Sequence, residues 1–288
     1  MPWDTVETTA TGGFMRFVSC TLDDEEFAAL VDGDDLIPLR GVRELGAATP
    51  TALLNDPPLV ERRRLPRESV TLRPVVPAPA KIICVGLNYR AHIEETRRDD
   101  SDYPVLFTKF ATSLVGPYDD IVVPPESERV DWEGEIAVVI GTPARRVTRA
   151  AALDHVAGYT IANDVSMRDF QRFTHQWLPG KAWDRATPLG PELVTPDETP
   201  APADLRLTVT YDGEVVQDST ADLLIFDVAT LISTISTFAT LLPGDVILTG
   251  TPGGVGDRRD PPRYLRPGGR VSVEVSGLGR IDNRLVVG

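Results

Sequence analysis

From Asp131 to Ile140 the chain reads Asp-Trp-Glu-Gly-Glu and then runs through five apolar residues without a break, Ile136-Ala137-Val138-Val139-Ile140. In an extended strand, alternate side chains share a face. Glu133 and Glu135 therefore stand side by side, about 7 Å apart at Cβ. The apolar run demands burial, so the strand enters a core. Two carboxylates in such a place repel each other and lose hydration. A divalent cation relieves both problems. Carboxylate oxygens without nitrogen or sulfur donors suit Mg²⁺, Mn²⁺ or Ca²⁺ rather than zinc. The alternative is an edge strand with both glutamates turned to water, and the local pattern fits both.

The 288 residues suffice for one large domain, or one domain plus a small one. No apolar run approaches the roughly 20 residues of a membrane span. The net charge of −14 argues against nucleic acid and anionic membrane as partners. Residues 1–14 read as a disordered tail or a mis-called start, because Met15-Arg16-Phe17 opens the first strand pattern. They lack the basic start and apolar middle of a secretory signal. The expectation is a cytoplasmic protein. Cys20 and Cys84 give neither a disulfide framework nor metal-site spacing, and read as small buried residues. Of 29 basic residues only three are lysines, Lys81, Lys109 and Lys181. A lysine that persists in an arginine-rich chain invites a role that guanidinium cannot fill.

Short strands with Asp-Gly turns occupy the region from Arg16 to Leu39. The proline-rich passage Leu72 to Pro79 reads as a linker, which sets a small N-terminal domain at 15–76 and a main domain at 77–288. The main domain opens with a buried strand, Lys81 to Gly86, and a helical turn, Asn88 to Glu95. A charged loop, 96–103, follows. Further strands are expected at 105–109, 121–123, 133–140, 158–162, 205–211, 214–216, 245–249 and 270–275. Helices are expected at 149–156 and 166–173, the latter capped by Ser166 or Asp164. The one long helical pattern, Phe226 to Leu242, stops at Pro243-Gly244. Strands outnumber helices and hairpins recur, so the class is α+β with a mixed sheet.

Four constellations carry chemistry. Asp164 ends a strand and can join Glu133 and Glu135 as a third carboxylate ligand, or serve as a helix cap. Lys181 sits in a Gly/Pro-rich stretch, where it can be held near an anion or lie on the surface. His92 and Glu95 are neighbours at i and i+3; the carboxylate can orient the imidazole as a general base, or the two form a surface ion pair. The loop Leu248 to Gly256 offers backbone N–H groups and hydroxyls to a carboxylate, and is not a P-loop. Phe173, Trp177 and Trp183 read either as an aromatic wall of a site or as core.

Taken together, these segments resemble the fumarylacetoacetate hydrolase superfamily, in its acylpyruvase and 2-hydroxyhepta-2,4-diene-1,7-dioate isomerase-like branch. The pieces are Val85-Gly86-Leu87-Asn88-Tyr89, Glu133-Gly134-Glu135, Tyr159 to Asp169, Gly180-Lys181, Thr187 to Pro191 and Thr249-Gly250-Thr251-Pro252. The resemblance implies a β-rich roll of mixed sheets, a homodimer, and one Mg²⁺ or Mn²⁺ held by Glu133, Glu135 and Asp164. It places Lys181 as the active-site lysine, Arg168, Gln171 and Thr251 at the substrate, and His92 with Glu95 on a lid. Lys109 falls at the substrate site too, although Phe110 follows it where many members carry proline.

The implied substrate is a small 2-oxo acid, which can chelate the cation; the cation then stabilises the enolate left when a bond beyond C3 breaks. The first expectation is a hydrolase of C–C bonds in 2,4-dioxo acids, of the acylpyruvate or fumarylpyruvate type, with His92 and Glu95 activating water. The alternative is a decarboxylase of the oxaloacetate type, or an isomerase of aromatic-degradation intermediates. A remote alternative is a binding protein that has lost turnover.

Overall fold

A computed structural model describes residues 15–60, 62–96 and 101–288. The N-terminal tail expected over 1–14, and residues 97–100 of the charged loop, lie outside the described residues.

Two sheets organise the chain. In the larger one, the strands Arg16–Leu22, Thr187–Val194, Val156–Asn163, Gly134–Ile140, Val246–Leu248, Ile82–Gly86 and Val105–Lys109 lie side by side in that order. The hairpin strands Glu25–Asp32 and Asp35–Pro38 extend it beyond Arg16–Leu22. A second, five-stranded sheet runs Glu214–Thr220, Arg206–Tyr211, Arg270–Val275, Gly279–Val287, Ile121–Val123. Helices are few and short, and the fold is an α+β roll. Among the described residues no helix is long and apolar enough to cross a membrane.

The unbroken apolar run from Ile136 to Ile140 follows from this layering, because its strand is covered on both faces. Ile136, Val138 and Ile140 point into the core shared with the second sheet, beside Leu207, Val209 and Val273. Ala137 and Val139 point the other way, into a core with Phe17, Leu45, Leu54 and Leu248. Alternation assigns Glu133 and Glu135 to the second of these faces. Gly134, between them, faces the five-stranded sheet so closely that a Cβ there would collide with Val209. The Glu-Gly-Glu pattern thus lets the two sheets close together while both carboxylates face away from the contact.

The longest helix, Val228–Phe238, is capped by Asp227, whose side chain accepts from Thr230 N at 2.8 Å. It buries Val228, Leu231, Ile232 and Ile235 at helical spacing and ends earlier than the sequence pattern does. The passage read as a linker is packed: Val75 and Val76 are fully buried, and Val75 N donates to Leu189 O at 3.0 Å. The stretch Thr187 to Pro191 opens the strand Thr187–Val194. Proline is tolerated there because the pairing with Val156–Asn163 is irregular, with a register shift between Tyr159 and Ile161.

Candidate active site

The wet-edge reading of the acidic strand does not hold. Gly134–Ile140 is an inner strand, paired with Val156–Asn163 on one side and Val246–Leu248 on the other. Its register sets Gly134 opposite Asn163, and Asp164 N donates to Glu133 O at 2.8 Å. The pairing therefore delivers Asp164 to the glutamates. Glu133, Glu135 and Asp164 are 5 %, 1 % and 0 % exposed, and their carboxylate oxygens lie within 4.8 Å of one another. Asp164 is not a cap: the short helix Arg168–Gln171 begins later and has no side-chain cap.

Buried cations surround this cluster. Lys181 Nζ donates to Glu133 Oε2 at 2.5 Å and to Asp164 Oδ2 at 2.7 Å. Lys109 Nζ donates to Asp164 Oδ1 at 2.6 Å and to Val165 O at 3.2 Å. Arg168 Nη2 pairs with Glu133 Oε1 at 2.6 Å, its Nε donates to Asp131 Oδ2 at 2.8 Å, and its Nη1 donates to Gln171 Oε1 at 3.1 Å. Burial alone would raise the Glu133 pKa, but Lys181 and Arg168 outweigh it and bring it down to about 2. Burial likewise opposes the Lys181 charge, and Asp164 and Glu133 overcome it, so the ammonium stays protonated. Of the three scarce lysines, two serve this cluster; Lys81 instead pairs with buried Asp245 at 2.7 Å.

Glu135 is the exception. Among the described residues its carboxylate receives one hydrogen bond, from Gly250 N at 2.7 Å, and has no cation bonded to it. Burial, then the charges of Asp164 and Glu133, push its pKa well above the ordinary 4.5. A carboxylate left short of positive charge beside two others is what a divalent cation would complete, so the donor set fits an oxygen-liganded ion.

His92 and Glu95 lie on the helix Arg90–Thr96 and do pair, with His92 Nδ1 and Glu95 Oε1 2.6 Å apart. His92 is buried rather than solvated. It lines a cavity of about 260 Å³ together with Glu133, Lys181, Arg168, Gln171 and Thr251. Thus of the ten candidate residues, six border one chamber. Glu135 and Asp164 sit behind Glu133, Glu95 behind His92, and Lys109 behind Asp164 rather than at the chamber wall. Trp177 borders the chamber, whereas Trp183 packs on Phe170 and Phe173 is exposed.

The glycine-rich loop does bind carboxylates, but they belong to the protein. Gly250 N donates to Glu135, Gly254 N to Glu95 Oε2 at 2.9 Å, and Gly256 N to Asp131 Oδ1 at 2.7 Å. One loop therefore positions the acidic cluster, the imidazole's partner and the anchor of Arg168. Gly254 has φ +103°, and a Cβ there would collide with Val216 O. Gly254→Ala should cost about 2–3 kcal/mol or more in urea unfolding, and wild-type stability would refute the fit.

Sequence reasoning missed Asp131 and Gln217. Asp131 is fully buried and joined to Arg168 because Val130–Asp131 pairs with Ser166–Met167. Gln217 bridges the sheets: Gly134 N donates to its Oε1 at 3.0 Å, and its Nε2 donates to Thr251 Oγ1 at 2.9 Å. Asp131 lies in the acidic stretch itself, a usable signal; a lone glutamine in a hairpin strand offers none.

The fumarylacetoacetate (FAA) hydrolase C-terminal family matches residues 81–286. The chain belongs to the fumarylacetoacetate hydrolase family. A mitochondrial oxaloacetate tautomerase of Bos taurus is 47% identical over 224 residues, which are 77% of this chain and 71% of the relative. The Homo sapiens counterpart matches to the same extent. Among solved structures, a 5-carboxymethyl-2-hydroxymuconate delta-isomerase of Mycobacterium smegmatis superposes with a TM-score of 0.81 at 35% identity, covering 95% of this chain and 100% of its own. A fumarylacetoacetate hydrolase of Exiguobacterium antarcticum gives 0.80 at 33% identity, with the same coverage.

These relatives correct the expectation of a cytoplasmic protein, since the mammalian tautomerases are named mitochondrial. The lack of a secretory pattern bears on secretion and does not choose among interior compartments.

Proposed function

We propose that this chain is an isomerase of a short 2-oxo dicarboxylic acid, interconverting its enol and keto forms, with oxaloacetate as the type compound. The observation that carries this reading is the shared chamber, in which an oriented imidazole faces a buried carboxylate cluster backed by an ammonium group. Moving a proton between O2 and C3 needs a group that carries the proton and positive charge near the oxygen. It needs neither water nor a leaving group. The oxaloacetate tautomerases and the muconate isomerase among the relatives support the same chemistry.

Glu133, Glu135 and Asp164 would hold Mg²⁺ or Mn²⁺, and the bound cation would supply positive charge at the carboxylate and 2-oxo oxygens of the substrate. The protein's own groups do the rest. Glu95, fixed by Gly254 N, accepts from His92 Nδ1 and leaves Nε2 as the nitrogen that takes or returns the proton at C3. Lys181 stabilises negative charge that develops beside Glu133. Arg168 is held by Asp131 and in turn orients Gln171 on the chamber wall.

The test is the disappearance of enol-oxaloacetate absorbance with Mg²⁺ and with chelator. A cation-dependent acceleration is expected. His92→Ala should slow it by about 10²–10⁴-fold while leaving the Mg²⁺ affinity unchanged. The His92–Glu95 dyad would equally serve water activation, which makes a C–C hydrolase of 2,4-dioxo acids the second reading. A protein that releases pyruvate from an acylpyruvate, yet leaves the enol–keto rate at its buffer value, would decide for that reading.

A further inference from the structure

The chamber has a second end. Its inner cations are already matched: Lys181, Lys109 and Arg168 face Glu133, Asp164 and Asp131 at bonding distance. The rim differs, for it carries Arg172, His175 and Arg258. The carboxylate near them is Asp257, which also borders the chamber. Asp257 is taken up by an ion pair with Arg172 and by the Tyr264 hydroxyl, which donates to its Oδ1 at 3.0 Å.

Arg258 is not taken up. Its Nε stands 3.6 Å from Asp257 Oδ2, beyond hydrogen-bond distance, and its guanidinium has no other partner among the described residues. Yet its backbone is fixed. Arg258 ends the 3₁₀ turn Gly256–Arg258, and the amides of Gly256 and Asp257 both donate to the buried Asp131 carboxylate. A planar guanidinium held only by a long ion pair, on a fixed backbone at the border of the chamber, is prepared for a carboxylate. Among the described residues at the rim, two arginines stand against one aspartate.

We propose that Arg258 binds the distal carboxylate of the substrate and makes the site prefer 2-oxo diacids over 2-oxo monoacids. This deepens the isomerase reading and rests on it for the orientation of the substrate, whose 2-oxo acid end occupies the inner chamber. Asp257 does not oppose this binding strongly, because Arg172 neutralises it. Its part is to steer the Arg258 guanidinium from one side.

Oxaloacetate and 2-oxobutyrate form a matched pair of four-carbon acids that differ in a terminal carboxylate or methyl. Their dissociation constants, measured by calorimetry on the full chain with Mg²⁺, give a preference ratio. Wild type should favour oxaloacetate by about 10-fold or more, the value of one charge-assisted hydrogen-bonded contact. Arg258→Gln should remove that preference while 2-oxobutyrate binding stays within about two-fold, and Arg258→Lys should retain part of it. A ratio unmoved by Arg258→Gln, or a wild type without preference, would overturn the inference. Failure of the isomerase reading would show separately, as wild-type protein that binds oxaloacetate but does not accelerate its enol–keto conversion.

Discussion

Glu135→Gln is expected to weaken divalent-cation binding by more than about 100-fold and, in the same protein, to raise the stability of the cation-free form. The two effects have one origin. Glu135 is buried beside Asp164 and Glu133, and burial together with their charges pushes its pKa well above 4.5. The folded protein therefore retains a proton that the unfolded chain releases. Such a group contributes most to stability below 4.5, and its contribution declines as pH rises above that value toward the folded pKa. Glutamine keeps the acceptor for Gly250 N and removes the charge. Thermal midpoints measured from about pH 4 to about pH 8 without cation should diverge, with wild type falling further behind the variant at each higher pH. Added Mg²⁺ should reverse the order, raising the wild type alone. A variant that still titrates Mg²⁺ with wild-type affinity would remove Glu135 from the ligand set.

Lys181→Met should have the largest effect on folding. The ammonium is shared by Glu133 and Asp164, and its removal leaves two buried carboxylates facing each other with one counter-charge fewer. Breaking a buried pair from one side costs about 3–5 kcal/mol. Denaturant unfolding should show that loss, and enol–keto turnover should fall by about 10²-fold or more. Saturating Mg²⁺ should return part of the stability, because a cation compensates the same carboxylates, but not the turnover. Full activity in a folded Lys181→Met protein would mean that the ammonium is only structural.

What could be read in the sequence followed from short-range rules. The period of two placed Glu133 and Glu135 on one face, and the uninterrupted apolar run pointed to a core, while the choice between an inner and an edge strand stayed open until the pairing was seen. The i,i+3 spacing paired His92 with Glu95. Asp164 was legible as a strand end, but its arrival at the glutamates depends on the register of two strands far apart in the chain. Long-range pairing likewise hid Asp131 and Gln217, whose partners lie 37 and 83 residues away. The loop Leu248 to Gly256 was legible as a stretch able to bind a carboxylate, and the carboxylates its amides hold are the protein's own. Arg258 gave no local sign, since what sets it apart is the length of its ion pair with Asp257, which no sequence pattern shows.

That loop is a common frame for three carboxylates. Glu95, Glu135 and Asp131 hang from amides of a single short piece of backbone. The spacing between the His92–Glu95 pair and the acidic cluster is therefore set by one stretch of backbone. The side chains of Arg172, His175 and Arg258, which border the chamber, take no part in those three bonds.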